Sequence, residues 1–298
     1  MFELAPEIDA FVRVVERGSF AAVATEKGYT ASGVSRMISR LENSLGAKLL
    51  FRSTRKLSLT PEGEAFLPHA QRILEAIELA GAELSNSTGS PRGHIRINCG
   101  TAFANHKLAP ILPEFAKTHP NVSLDVAVTD QRVDPVSSQA DVTIRVGDLV
   151  DSGLVAIPLG HVARIIAASP DYISMRGMPR EASDLLNHNC LLLRGFPNQA
   201  SWPFVENGKH IKVTVAGTIT SDSAETLLCA AVAGTGIIRL GDFLGAEALA
   251  SCQLCSILTD THIRSEQPIN ALVQPGRQSL PRVRALLDFL KSKIETCC

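Results

Sequence analysis

Apolar residues recur at Val34, Ile38, Leu41 and Leu45, the spacing of one helix face, while Ser32, Arg36, Ser39, Arg40 and Asn43 fill the opposite face. The pattern predicts a helix capped by Thr30 and ended by Gly46. Two shorter helices precede it. The first runs over 6–17, with Pro6 in its first turn, Ile8, Phe11, Val12 and Val15 on its apolar face, and Gly18 as the stop. The second is capped by Ser19, carries Phe20, Val23 and Ala24, and ends at Gly28. Short helices joined by tight turns, the last with a basic polar face, form a helix-turn-helix. Loose alternation from Leu49 to Leu59 around the polar tip Arg52-Ser53-Thr54-Arg55-Lys56 predicts a β-wing.

Thr60-Pro61-Glu62 supplies a cap, a first-turn proline and a first-turn acid for a long helix reaching about Leu84. Phe66, Ile73 and Ala80 recur every seventh residue, as do Leu67 with Leu74, and Ala70, Ile77 and Leu84. So wide an apolar stripe packs either on its own domain or on a partner helix. The Ser/Gly/Pro-rich stretch 85–93 that follows reads as a linker. A helix leading into a linker has little of its own domain to pack on, so dimerisation is the favoured reading, with Phe66, Ile73, Ile77 and Leu84 as contacts.

From His94 onward, strand-like and helix-like segments alternate. Ile95, Ile97 and Cys99 alternate with polar residues, as do Val122, Leu124, Val126 and Val128. Apolar runs follow at 142–146, 164–168 and 190–193. Asn207-Gly208 signals a hairpin. Asp222-Ser223-Ala224-Glu225 resembles a capping box with Asp222 as the cap, opening a helix through Ala233. Ile237-Ile238 begins another strand, and a last helix runs from about Pro281 to Ile294. The expectation is an α/β chain of three parts: a winged helix-turn-helix over 1–60, a linker helix and hinge over 61–92, and a parallel-rich α/β domain over 93–298. The last divides into lobe I, about 93–161 with 268–298, and lobe II, about 162–267.

Bulk charge adds little until it is divided. The 298-residue chain has a net charge of −1 and 45% hydrophobic residues, which supports sizeable cores. Residues 27–60 hold Lys27, Arg36, Arg40, Lys48, Arg52, Arg55 and Lys56 against Glu42 alone, a local +6 in a near-neutral protein. The seven cysteines form no regular framework, no secretory leader opens the chain and no apolar run spans a bilayer, so a cytoplasmic protein with reduced thiols and no membrane partner is expected. Cys252-Gln253-Leu254-Cys255 is a lone C-x-x-C with no second pair at zinc spacing and falls where a strand is expected. His106, His119, His161, His188 and His262 are scattered singly. Neither an enzyme nor a metal or other cofactor is expected.

An ordered series of residues carries a family resemblance. In the first 84 residues it comprises Phe11, Gly18-Ser19-Phe20, the Thr30–Glu42 segment, Leu45-Gly46, Leu49-Leu50-Phe51-Arg52 and Leu59-Thr60-Pro61-Glu62-Gly63. Further on it comprises Leu108-Ala109-Pro110, Ala140-Asp141-Val142, Ala233-Gly234-Thr235-Gly236-Ile237 and Pro281-Arg282-Val283-Arg284. The chain resembles a LysR-type transcriptional regulator, and Arg145-Val146-Gly147 with Ala168-Ser169-Pro170-Asp171-Tyr172 resembles the CrgA-like branch of that family. The resemblance implies two Rossmann-like lobes built like a periplasmic binding protein, binding to double-stranded promoter DNA, self-association as a dimer or tetramer, and a small-molecule effector between the lobes. RNA polymerase is a further candidate partner.

On that reading the DNA contacts are Thr30, Ala31, Ser32, Ser35, Arg36, Arg40, Arg52 and Arg55. The family commonly holds a base-reading Gln before Ser32, where this chain has Ala31, so readout there is apolar contact at most. Gly33 would permit close approach to the groove. Arg36 can reach guanine or a phosphate, Arg40 a phosphate, and the wing arginines the backbone or minor groove. Strand ends facing the cleft make Thr101, Ala102, Phe103, Arg145, Arg194, Ser221 and Arg239 candidate effector contacts, with the helix start at Thr101 able to hold an anion. Arg239 invites an anionic effector or, equally, pairs with Asp242 or another acid. A redox-responsive regulator using Cys99, Cys229 or the C-x-x-C pair, and an effector-independent one, are the alternatives.

Overall fold

The computed structural model describes residues 4–52, 57–84, 90–130, 140–149, 152–195 and 199–294. It divides into two compact units, Met1–Thr88 and Gly89–Cys298.

In the first unit, α1 (Ala5–Arg17), α2 (Phe20–Lys27) and α3 (Ala31–Leu45) follow the capping residues closely. Ser19 Oγ accepts from the Ala22 amide and Thr30 Oγ1 from the Gly33 amide, so each hydroxyl satisfies a first-turn N–H that the helix leaves unpaired. Phe11, Val14, Val23, Val34, Ile38 and Leu41 have no more than 0% exposure and form the centre of the core. The wing is the antiparallel pair β1 (Leu50–Arg52) and β2 (Leu57–Leu59), with Phe51 opposite Ser58; its tip, with Arg55, lies outside the described residues. Glu42, at the end of α3, ties the wing to the helices. Its carboxylate accepts from the Leu49 and Leu50 amides and from Lys48 Nζ at 2.9 Å. Burial alone would raise its pKa, yet these donors together hold it below the usual carboxylate value.

The long helix α4 (Pro61–Leu84) begins where Thr60 Oγ1 accepts from the Gly63 amide at 2.9 Å. The structure corrects the reading that this helix lacks a domain to pack on. Ala70 is fully buried, and Phe66, Leu67, Ile73 and Leu74 pack on the core of their own unit, Phe66 against Phe11 at 5.8 Å between ring centroids. The turn at Gly63 allows that docking, because a Cβ there would lie 2.1 Å from the Leu49 carbonyl oxygen. Ile77 is half-buried and outside that cluster; the side chain of Leu84 is not among those described.

In the second unit, nine described strands form one sheet, in the order β10 (Thr220–Ser221), β7 (Cys190–Leu193), β11 (Ile237–Gly241), β6 (Val155–Ala168), β13 (Glu266–Val273), β5 (Val142–Val146), β3 (Gly93–Cys99), β4 (Val122–Val128), with β12 (Cys255–Ser256) beside β6. The parallel-rich expectation holds only at the flanks. The pairs β3–β4, β3–β5, β7–β10 and β7–β11 are parallel, but β6 and β13, the central strands, pair antiparallel with all their neighbours. The reason is topological. From Val155 to Ala163 the fourteen-residue β6 pairs with β13, and from Arg164 to Ala167 it pairs with β11, so it leaves one lobe and enters the other. A hairpin of β8 (Ser201–Glu206) and β9 (Lys209–Thr214) turns at Asn207-Gly208, both with positive φ.

The remaining helices are α5 (Thr101–Phe103), which continues through irregular turns into α6 (Leu112–Thr118), then α7 (Pro170–Arg176), α8 (Ala224–Val232), α9 (Asp242–Ala250) and α10 (Pro281–Ile294). The cap of α8 is Ser223, not Asp222: its hydroxyl accepts from the Thr226 amide, which shifts the expected cap by one residue. Cys252-Gln253-Leu254 forms a turn after α9, and only Cys255 enters a strand, again later than expected.

Candidate functional site

The polar face of α3 is exposed at Ala31, Ser32, Arg36 and Arg40 and half-buried at Gly33, Ser35 and Ser39. Thr30 and Ser32 hydroxyls lie 3.1 Å apart, so the two oxygens share a bond at the helix start. Gly33 has a local use besides the expected close approach to DNA: a Cβ there would sit 3.1 Å from the capping Thr30 Oγ1. Tyr29, half of whose surface is open to solvent at 52%, stands immediately before the cap and was not among the candidate contacts.

Ion pairs subdivide the basic island. Lys27 meets Asp9 at 2.7 Å, Arg40 meets Glu7 at 3.1 Å, and Lys48 meets Glu42 at 2.9 Å. Glu7 and Glu42 are buried, so these partners anchor helices and wing as well as neutralising charge. Arg40 is therefore not the free cation expected for a phosphate, although it is 66% exposed. Arg36 makes only a long bond, 3.4 Å, from Nε to the Ser32 carbonyl one turn back, and no described carboxylate lies within ion-pair reach of it. The side chain of Arg52 is not among those described.

In the second unit the expected effector contacts do not converge on one place. Ala102 packs on the cluster containing Leu191, Leu193, Ala224, Ile238 and Leu240, so it faces lobe II across the lobe boundary. Phe103 is buried, at 3% exposure, and belongs to the core rather than to a lining. The amide of Thr101 is already bonded to Asp130 Oδ1 at 2.8 Å; the anion that this helix start attracts comes from the chain itself. Arg145 donates to Asn98 Oδ1 at 2.8 Å and to its neighbour's carbonyl. Arg194 and Ser221 end the adjacent parallel strands β7 and β10; the Arg194 amide meets the Ser221 carbonyl, and its exposed guanidinium lies 3.8 Å from Asp222. Three contacts clasp the lobes: Glu225 accepts from Asn105 at 3.2 Å and meets His106 Nε2 at 2.9 Å, and Lys107 lies over Phe243.

Arg239 stands apart. Strand alternation turns Ile238 and Leu240 toward Ala102 and α8, and turns Arg239 to the opposite face with Ile166 and Ile237. There it donates through Nε to His262 Nε2 at 3.0 Å and through one terminal nitrogen to Ser265 Oγ at 2.8 Å. Asp242 is not its partner: that carboxylate lies 3.7 Å from Arg264 and accepts from the Phe243 amide.

The redox candidates differ in reactivity. Burial pushes the Cys99 thiol up to about 11, only partly countered by Arg145, and the Cys190 thiol up to about 12; neither forms much thiolate near neutral pH. Cys229 and Cys252 are exposed. No group of three or more His, Cys, Asp or Glu suited to a metal occurs among the described residues.

Comparison with known proteins gives this arrangement its class. Residues 7–64 match the bacterial regulatory helix-turn-helix of the lysR family, and residues 88–295 match the LysR substrate binding domain. The chain belongs to the LysR family of transcriptional regulators, with a helix-turn-helix that binds DNA and a domain that binds effectors. It is 33% identical over 292 residues to the regulator CrgA of Neisseria meningitidis serogroup C, covering 97% of this chain and 96% of that one. It is 33% identical over 294 residues to DmlR of Escherichia coli K12, covering 96% and 92%. Among solved structures, CrgA of N. meningitidis aligns over 97% of this chain and 98% of its own, at a TM-score of 0.65 and 31% identity. The full-length structure of the Vibrio cholerae virulence activator AphB aligns over 97% and 99%, at 0.60 and 27%. No described helix is long and apolar enough to cross a membrane.

Proposed function

We propose that the protein is a cytoplasmic regulator, not an enzyme, that reads promoter DNA chiefly through Arg36, with Thr30, Ala31, Ser32 and Ser35 close to the bases. The wing arginines Arg52 and Arg55 add backbone contacts, and the exposed Arg40 adds one by exchanging Glu7 for a phosphate. The observation that carries this reading is the isolation of Arg36: it projects from the exposed face of α3 while Lys27, Arg40 and Lys48 have carboxylate partners. Having no ion-pair partner among the described residues, Arg36 gives up water and one long bond to the Ser32 carbonyl when it meets guanine O6 and N7 or a phosphate, whereas a paired guanidinium must also break its salt bridge. Thr101, Ala102, Arg194 and Ser221 form the effector-facing edge between the lobes, and self-association proceeds through α4 beyond Leu74, with Ile77 as a contact.

The test is Arg36→Ala, measured by fluorescence anisotropy on an operator duplex and on a random one. We expect a loss of about 1–3 kcal/mol on the operator and a smaller loss on random DNA. An equal loss on both would make Arg36 a phosphate contact and overturn its reading role.

A further inference from the structure

Arg239 and Arg164 form an unusual pair. In the antiparallel register of β11 against β6, Arg239 lies opposite Ile166 and Gly241 opposite Arg164. The two arginines are therefore diagonal neighbours on one face, within reach of each other's long side chains. Arg164 is 8% exposed and its Nε donates to Gln267 Oε1 at 2.8 Å. Arg239 gives its Nε to His262 and one terminal nitrogen to Ser265. These three partners are neutral. Among the described residues no carboxylate lies within ion-pair distance of either guanidinium, and the nearby Asp242 is engaged by Arg264.

Arg164 is buried and Arg239 half-buried, and like charges partly withdrawn from water cost free energy unless an opposite charge joins them. The cost shows in the guanidiniums. Burial lowers the pKa of Arg239 to about 10, with the neighbouring Arg164 adding to the effect, and burial lowers that of Arg164 as well. Burial, followed by the charges of Arg239 and Arg264, depresses His262 to about 4, so its ring is neutral and accepts from Arg239. The remaining N–H groups, one terminal nitrogen of Arg239 and both of Arg164, are not accounted for by these bonds.

We propose that Arg164 and Arg239, flanked by Ser265, His262 and Gln267, hold the carboxylate of a small organic anion at the crossover between the lobes. This site is distinct from the Thr101 edge, because the two lie on opposite faces of β11. A carboxylate fits better than a phosphate. His262 stands edge-on to the buried ring of Phe204, and a singly charged group loses less hydration than a dianion on entering such surroundings. The position gives the anion leverage: Arg164 lies where β6 passes from β13 to β11, and its amide bonds to the Ser265 carbonyl just before β13 begins. An anion there would join the two strands that link the lobes.

The experiment uses the full chain, titrated calorimetrically with acetate, with benzoate and with inorganic phosphate at constant ionic strength. Saturable binding of a carboxylate is expected, weakened about tenfold or more by Arg239→Gln and by Arg164→Gln, and little changed by Arg264→Gln. If a glutamine variant does not fold, Ser265→Ala and Arg239→Lys take its place, each expected to weaken binding less steeply. In parallel, the His262 imidazole resonances are followed against pH; a bound anion raises their midpoint from about 4. Phosphate binding without carboxylate binding, binding unaffected by either arginine variant, or an unmoved His262 midpoint at saturation would each overturn the proposal. Operator binding is measured on the same samples: its retention alongside any of these failures overturns the anion site alone, and its loss overturns the regulator reading.

Discussion

Single residues carry two separable demands, folding and recognition, and the pairs around α3 show how they are divided. Lys27, Arg40 and Lys48 lie in the same basic island as Arg36, yet carboxylates from α1 and from the end of α3 engage them. Those partners are 18, 33 and 6 residues away by their numbering, so only the nearest pair was legible from local sequence. The same holds for Asp130 at the Thr101 amide and for His262 beside Arg239, contacts that only the completed sheet creates. His262 also has a stability consequence. Its folded pKa of about 4 lies below the ordinary imidazole value near 6.5. Between those two values the unfolded chain takes up a proton that the folded chain refuses, so stability falls as pH drops from about 6.5 toward about 4. His262→Gln, which keeps an acceptor for Arg239 but cannot titrate, should flatten this part of a plot of urea-denaturation free energy against pH. An identical slope in both proteins would show that the titration lies elsewhere.

At the level of elements, the first three helices, the start of α4 and the Asn207-Gly208 hairpin were readable because caps and turns are local chemistry. Thr30, Ser19 and Thr60 accept the amide bonds that their positions imply. Long-range register was not readable. Nothing near Arg239 in sequence says which face of β11 it takes, because that depends on pairing with β6 some seventy residues earlier. The antiparallel centre of the sheet escaped for the same reason: the alternation of strands and helices is the same whether one long strand visits both lobes or not. Gly63 shows a local signal with a tertiary cause. Its Cβ would meet the Leu49 carbonyl oxygen at 2.1 Å and a Leu59 methyl at 3.0 Å. Gly63→Ala should therefore destabilise the DNA-binding unit by about 1–3 kcal/mol, through displacement of α4 from the wing. Gly81→Ala, on the same helix with open space around the position, should raise stability by up to about 1 kcal/mol. Thermal melts followed by circular dichroism separate the two; a neutral Gly63→Ala would mean that α4 can shift without loss.

For the whole molecule, the proposed self-association through α4 must be squared with a helix that is half consumed by its own domain. The stripe on α4 is continuous in sequence, but Phe66, Leu67, Ala70, Ile73 and Leu74 are turned to the core of their own unit. Those side chains are therefore already used by their own unit, and the proposed self-association would draw on the part beyond Leu74, where Ile77 continues the spacing and is half-buried in the single chain. A Leu- or Ile-sized side chain gains about 1.5–3 kcal/mol when fully removed from water, and in a symmetric pair each copy contributes one. Charge at this position should consequently weaken association without unfolding either unit. Ile77→Glu is expected to shift sedimentation equilibrium toward monomer and to lower operator affinity, since two half-sites are no longer bound as one, while its melting temperature stays close to that of the parent. Ile73→Glu serves as the contrast: it should lower the melting temperature, because Ile73 packs on the domain core. If Ile77→Glu leaves the oligomer intact, the association surface lies elsewhere and α4 serves its own domain alone.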